Sequence, residues 1–177
     1  KYYIKRCVGI PGDTLSIRYG FFHVEGVQMP LGNMDSQKRI AATEKFQDGI
    51  FRSFPFDSII GWNIKDFGPL YIPAKDDSVT LDHTNFRLYK KLIEWEQQGN
   101  LQYKDSTVLL NGTPINGYRF RKNYYFMAGD KGMNSQDSRY WGLLPEEYIV
   151  GKAWIIWKSV DPYTDKFRWN RFLKVIH

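Results

Sequence analysis

Apolar and polar positions along the chain fall mostly into short runs with a period near two, broken by Gly, Pro and Asn. A period of two is that of a strand with one buried face. Residues 2–8 form an apolar and aromatic run that stops at Gly9-Ile10-Pro11-Gly12-Asp13, a composition suited to a turn. Residues 14–18 and 21–24 alternate about Tyr19-Gly20 and predict a hairpin, with a further turn at Glu25-Gly26 before residues 27–29. Residues 32–68 are mixed and weakly periodic, with one short helix expected over 39–46. Pro69 and Pro73 hold residues 68–73 extended, and residues 79–81 read as a short strand. The clearest helix starts at Thr84 as cap. Phe86, Tyr89, Leu92, Ile93 and Glu96 follow its three-to-four spacing, Lys90, Lys91, Glu94 and Glu96 supply its wet side, and Gly99 ends it.

The second half returns to strands. Residues 107–110 and 113–115 flank Asn111-Gly112, a pair suited to the positive φ angles of a type I′ turn. Residues 118–120 and 123–127 are further strands, 129–139 is a polar loop, and 150–158 is expected to be a buried strand. The tail from Asp161, with Trp169 and Phe172, is expected to pack back on the core. Many short strands with one clear helix predict a mainly β, α+β fold built on antiparallel sheet.

Composition narrows the function. Aromatic residues are 17% of the 177, an enrichment that favours pleated, half-buried surfaces. A single cysteine, Cys7, excludes an internal disulfide and a cysteine zinc cluster, and it is expected to be a small core residue rather than a nucleophile. The three histidines (His23, His83, His177) are scattered, so no metal site and no cofactor is expected. Asp76, Asp77 and Asp82 lack the EF-hand pattern and read as a turn or helix start. The net charge of +6 is spread along the chain, which suits a weak attraction to anionic surfaces and argues against nucleic acid as a partner. No segment approaches the ~20 apolar residues of a membrane span; residues 148–157 are ten and include Lys152. The sequence opens on a strand-like run at Lys1, which suggests the excised soluble part of something longer.

Two segments look unlike plain scaffold. In Lys5-Arg6-Cys7-Val8-Gly9-Ile10-Pro11-Gly12-Asp13, alternation puts Tyr3, Lys5 and Cys7 on one face and Ile4, Arg6 and Val8 on the other. A lysine among apolar neighbours loses hydration, which disfavours its ammonium form and makes the amine available as a base. A solvated strand-edge lysine is the plainer alternative. Gly129-Asp130-Lys131-Gly132-Met133-Asn134-Ser135-Gln136-Asp137-Ser138-Arg139 gathers carboxylates, hydroxyls, an amide and cations after an apolar strand. Asp137 and Arg139 are close enough in sequence for a charge-assisted hydrogen bond. A solvated loop is the plainer alternative here too.

Taken together and in this order, the two segments resemble the type I signal peptidases, a family that cleaves secretory signal peptides with a Ser–Lys dyad. The first is similar to the box that carries the family's general-base lysine. Gly129-Asp130, Asn134-Ser135 and Asp137-Ser138-Arg139-Tyr140-Trp141-Gly142 resemble its last conserved box, and Pro145 and Val150-Gly151-Lys152-Ala153 fit the continuation. The Gly68–Pro73 stretch and the helix after it resemble the insertion of Bacteroides-type members. The resemblance implies a catalytic core of residues 1–30 and 107–160, an inserted cap over 31–106, and a tail of 161–177. It implies Lys5 as general base and Ser135 as the hydroxyl that orients its amine, with Gly129 leaving room beside them. Arg6 with Asp130, Asn134, and Asp137 with Arg139 would support the site. The implied partners are signal peptides of secretory preproteins, docked extended. The implied location is the bacterial inner membrane, reached through an N-terminal anchor, with the domain facing the periplasm.

Two departures stand out. The family's nucleophile lies on a Ser-Met-x-Pro stretch ahead of the lysine box, whereas Ser16, Ser36, Ser53 and Ser58 all follow it. The residues given are therefore expected to be inactive alone, and strand edges left open are expected to favour a homodimer. In addition, Lys131-Gly132-Met133 stands where the last box usually reads Asn-Arg-Asp. That change motivates the alternative of a degenerate, non-catalytic homologue that binds peptides or partners.

Overall fold

The computed structural model describes residues 2–161 and 164–175. Lys1, His177 and the parts of the expected tail at 162, 163 and 176 lie outside the described residues. Two units separate: Lys5–Glu146, and the described residues of 1–4 with 147–177. In chain order the first unit contains strands β1 (Arg6–Gly9), β2 (Thr14–Arg18) and β3 (Phe21–Val24), helix α1 (Met34–Ala42), strands β4 (Phe67–Tyr71) and β5 (Ser78–Thr80), helix α2 (His83–Gln97), strands β6 (Leu101–Lys104), β7 (Thr107–Leu110), β8 (Thr113–Ile115), β9 (Gly117–Arg119) and β10 (Tyr124–Ala128), helix α3 (Ser138–Trp141) and strand β11 (Leu144–Pro145). All the strand ladders are antiparallel, in small sheets ordered β1-β10-β11, β3-β2-β4, β5-β9 and β6-β7-β8. The fold is mainly β, as the alternation predicts.

The hairpins follow their turn residues. Asn111 and Gly112 take φ of 50° and 82°, the left-handed pair of a type I′ turn, and Leu110 faces Thr113 across it. Tyr19 and Gly20 do the same between β2 and β3, at 52° and 88°. On the other side of β2, β4 pairs with a register shift between Leu15 and Ile17. There Gly68 has φ +88°, and a Cβ on it would stand 2.5 Å from the Leu15 carbonyl oxygen. Only glycine fits this crossing.

Several boundaries differ from the sequence expectations, each for a local reason. The first strand begins only at Arg6; Tyr2, Tyr3 and Ile4 precede it and are exposed. The first helix lies at Met34–Ala42 rather than 39–46, because the Asn33 side chain accepts the Ser36 N–H (2.9 Å) and Thr43 turns the chain extended. The cap of α2 is Asp82, which accepts from Asn85 N (2.7 Å), two residues ahead of the expected Thr84. Strand β6 was not predicted; Leu101 is fixed to α2 by its N–H to Glu94 Oε1 (2.9 Å) and its carbonyl to the Lys90 amine. Glu96 is not on the wet side. It accepts the hydroxyls of Tyr118 (2.7 Å) and Tyr124 (2.6 Å) and the Arg121 N–H (2.9 Å), so α2 is tied to β9 and β10. Cys7 is exposed rather than in the core, since the β1 bulge leaves its thiol against the Gly9 carbonyl (3.4 Å). Of the acidic trio, Asp77 accepts from Tyr71 and Ala74, Asp76 pairs with Arg119, and Asp82 caps α2.

The buried cluster draws on the whole first unit. Val8, Leu15 and Phe126 from 1–30 and 107–146 pack together with Leu70, Ile72, Tyr89 and Ile93 from 31–106. Tyr89, Phe120, Tyr118 and Tyr124 meet edge to face at ring-centre distances of 5.3–5.7 Å. In the second unit the expected buried strand 150–158 shrinks to Ile155–Ile156, which pairs with Lys174–Val175. Trp154 and Trp157 are 71% and 70% exposed: the run does not lie under a covered face, and Trp157 packs at a tilt on Phe172. Trp169 and Phe172 pack on Phe167 and on each other. Among the described residues no helix is long and apolar enough to cross a membrane.

Two tyrosine hydroxyls held against carboxylates tie the stability of the fold to alkaline pH. Burial, and then the Asp77 carboxylate, push Tyr71 up to about 12; burial, and then Glu96, push Tyr118 up to about 12. In the unfolded chain both ionise near 10, so their contribution is intact below pH ~10 and is lost as pH rises through ~12. The urea midpoint is expected to fall between pH 10 and 12, and to fall less in a Tyr71→Phe, Tyr118→Phe variant. Equal slopes in the two proteins would contradict this.

Candidate active site

The sheet pairing of β1 with β10 brings the two chemically dense segments together. Arg6 faces Ala128, so Lys5 arrives beside Gly129, where β10 ends and the polar turn begins. The Lys5 amine donates to Ser135 Oγ at 2.8 Å across 130 positions of sequence. Ser135 is buried, and Lys5 is half-buried. Gly129 lies beneath this pair: a Cβ there would stand 1.8 Å from Ser135 Oγ and 3.1 Å from Lys5 Nζ. Glycine at this position is a requirement of space, as the missing side chain is the room in which amine and hydroxyl meet.

The turn is held from inside by charge. Asp137 and Arg139 are essentially unexposed, at 0% and 2%. Arg139 donates Nε to Asp137 Oδ1 (2.9 Å) and a terminal nitrogen to Oδ2 (2.7 Å), a two-point fork. Asp137 also accepts the Gly129 N–H (2.9 Å), while the Arg139 guanidinium donates to the Gly132 carbonyl (2.7 Å). One ion pair therefore fixes the backbone on both sides of Ser135. Ser138, also buried, accepts the Met127 N–H (2.9 Å) and pins the end of β10 to α3. Outside, Arg6 makes a second fork to Asp130 (3.0 and 2.8 Å), half exposed. The Arg6 bonds, with a smaller contribution from Asn33, hold the Asp130 carboxyl below the usual carboxylate range.

Of the residues singled out in the sequence, Lys5, Arg6, Gly129, Asp130, Ser135, Asp137 and Arg139 converge on this turn. Asn134 is exposed in a short 3-10 turn, with its N–H on the Lys131 carbonyl (3.3 Å) and no side-chain hydrogen bond among the described residues. Lys131 is exposed. Among the described residues, no hydrogen bond joins Ser16, Ser36, Ser53 or Ser58 to Lys5, whose amine is on Ser135. Two contributors had no role assigned from the sequence. Ser138 stood in the last box without one. Asn33, which caps α1 and helps hold the Asp130 carboxyl below its usual range, was hidden because the helix was expected to start several residues later.

A turn of this make-up is a place for a half-buried amine beside a buried hydroxyl, framed by fixed charges. Comparison with known proteins points the same way. The family described as "Signal peptidase, peptidase S26" matches residues 1–158. The chain is 32% identical over 172 residues to Signal peptidase I of Buchnera aphidicola subsp. Acyrthosiphon pisum, covering 90% of this chain and 49% of that protein. It is 26% identical over 167 residues to Signal peptidase I of Helicobacter pylori (90% and 50%), and 55% identical over 38 residues to that of Aquifex aeolicus (22% and 15%). The chain belongs to the signal peptidase, peptidase S26 family. It spans about half the length of the curated relatives it matches along most of its own.

Two substitutions probe the construction. Gly129→Ala is expected to displace Ser135 from Lys5 and cost about 1–3 kcal/mol, the range for overfilling a packed site. A structure of the variant with the 2.8 Å contact intact would contradict it. Arg139→Ala strands the buried Asp137 charge and is expected to cost about 3–5 kcal/mol in chemical denaturation. A loss under 1 kcal/mol would mean that the pair does not hold the turn.

Proposed function

We propose that this chain carries the lysine half of a membrane-bound serine endopeptidase that removes signal peptides from secreted preproteins. The observation that carries the reading is the Lys5 amine on Ser135 Oγ with Gly129 beneath. Lys5 acts as the general base. Ser135 accepts one N–H of the amine and thereby aims the nitrogen; the ion pairs Asp137–Arg139 and Arg6–Asp130 hold the turn and the strand that present the two.

The chemistry follows from the Lys5 amine as base. Its lone pair takes the proton of a nucleophilic serine hydroxyl as the serine oxygen attacks the scissile carbonyl. The tetrahedral oxyanion collapses, the ammonium returns the proton to the leaving amine, and the C–N bond breaks to leave an acyl-enzyme. A water, deprotonated by the same amine, then releases the acid and the free serine. The nucleophile belongs to a segment ahead of Lys5, in the Ser-Met-x-Pro context that the lysine box accompanies, and an apolar anchor ahead of that places the domain on the periplasmic face of the inner membrane. The residues 1–30 and 107–160 form the catalytic part in this reading, with 31–106 inserted as a cap.

In the full-length protein, Lys5→Ala is expected to lower preprotein cleavage about 10²–10⁴-fold, the range for losing a general base, while circular dichroism stays unchanged. Ser135→Ala is expected to lower it less, since the base remains but is no longer aimed. Undiminished cleavage by Lys5→Ala would overturn the base assignment. A wild-type protein that binds preprotein without cutting it would instead support a peptide-binding homologue.

A further inference from the structure

The turn from Asp130 to Met133 departs from the family's usual last box, and it rests on α1. Asn33, Ser36, Ile40 and Thr43 are spaced three, four and three, which aligns them as one stripe along the helix. The last three meet the turn, and Asn33, at the helix start, helps hold the Asp130 carboxyl below the usual carboxylate range. Ser36 Cβ lies 3.1 Å, and Ile40 Cδ1 3.6 Å, from where a Cβ on Gly132 would stand. Thr43, at the helix end, sets its hydroxyl 3.7 Å from Met133 Sδ, and Met133 packs on the cluster of Ile40, Ile64 and Tyr140. Gly132 takes φ +60°, and its carbonyl receives the buried Arg139. A side chain at 132 would strain the backbone and push the turn off the helix.

The helix itself cannot drift. Gln37, 1% exposed, accepts the Phe22 N–H (2.8 Å) and donates to the Leu31 carbonyl (2.6 Å), which ties α1 to β3. Ser36 donates back to the Asn33 carbonyl (3.0 Å). Ser135 lies three residues beyond Gly132, so whatever seats the turn also sets the hydroxyl that meets Lys5.

We propose that the Ser36, Ile40 and Thr43 face of α1 is the bed of the 130–133 turn, and that Ser36 and Ile40 are positioning residues that hold Ser135 against the Lys5 amine. The turn and the helix are matched: the small Gly132 admits Ser36, and Met133 fills the space at the far end of the stripe. This rests on the reading of Lys5 and Ser135 given above.

The test uses this chain with ¹³C-labelled lysine, following the Cε resonance of Lys5, assigned with Lys5→Arg. Ser36→Leu overfills the bed, and Ile40→Val removes the Cδ1 methyl that faces Gly132. Both are expected to move the Lys5 resonance, whereas the outer-face change Lys38→Gln leaves it in place. A Lys5 resonance unmoved in Ser36→Leu and Ile40→Val overturns the proposal; if Ser36→Leu does not fold, Ile40→Val alone decides. In the full-length protein, Ser36→Leu is expected to lower kcat for preprotein at least tenfold with KM within twofold, and an unchanged kcat overturns the positioning role. A moved resonance in a family of proteins that cleave no preprotein, wild type included, leaves the bed standing and removes only the peptidase reading.

Discussion

The buried pair of Asp137 and Arg139 is the constraint on which the site depends. Two opposite charges removed from water are costly unless every donor and acceptor is matched. Here the matching is done partly by the backbone, since Asp137 takes the Gly129 N–H and Arg139 gives to the Gly132 carbonyl. The need to satisfy the charges thus dictates the path of the chain between them. Ser135 lies inside that path, and its position against Lys5 follows from it.

Around this pair the fold supplies two further fixings. The β1–β10 ladder sets Lys5 level with Gly129, and a strand register cannot slip by one without turning every side chain over. The hydroxyl of Ser138 closes the end of β10 against α3. From the other side α1 carries the turn, and α1 is itself held by the buried Gln37. An amine that must be aimed at one hydroxyl in a space the size of a missing methyl group needs this redundancy.

The membership of the signal peptidase family and the geometry speak to different things. The family match covers the linear boxes. The geometry shows why a glycine precedes the aspartate in the last box, and why the exposed Arg6–Asp130 fork and the buried Asp137–Arg139 fork do different work. The first is screened by water and contributes little beyond orientation; the second organises the backbone. The change to Lys131-Gly132-Met133 leaves this scheme intact, with Lys131 in solvent and Gly132 and Met133 on α1.

Local chemistry made much of the protein legible in its sequence. Asn111-Gly112, Tyr19-Gly20 and the alternating runs beside them define hairpins because turn angles and a period of two are properties of neighbouring residues. The two dense segments, which the structure brings together through Lys5, Gly129, Ser135, Asp137 and Arg139, were readable for the same reason: each segment is contiguous. What the sequence left open depends on contacts between distant positions. The half-buried Glu96 looked like a solvated helix residue until two tyrosines from β9 and β10 reached it. The apolar 150–158 run looked buried, yet burial is decided by what covers a strand, and Trp154 and Trp157 remain largely exposed. The start of α1 at Asn33, and its use as a bed for a turn about a hundred residues later, required the tertiary structure, because a helix stripe acquires a partner only when the chain folds back upon it.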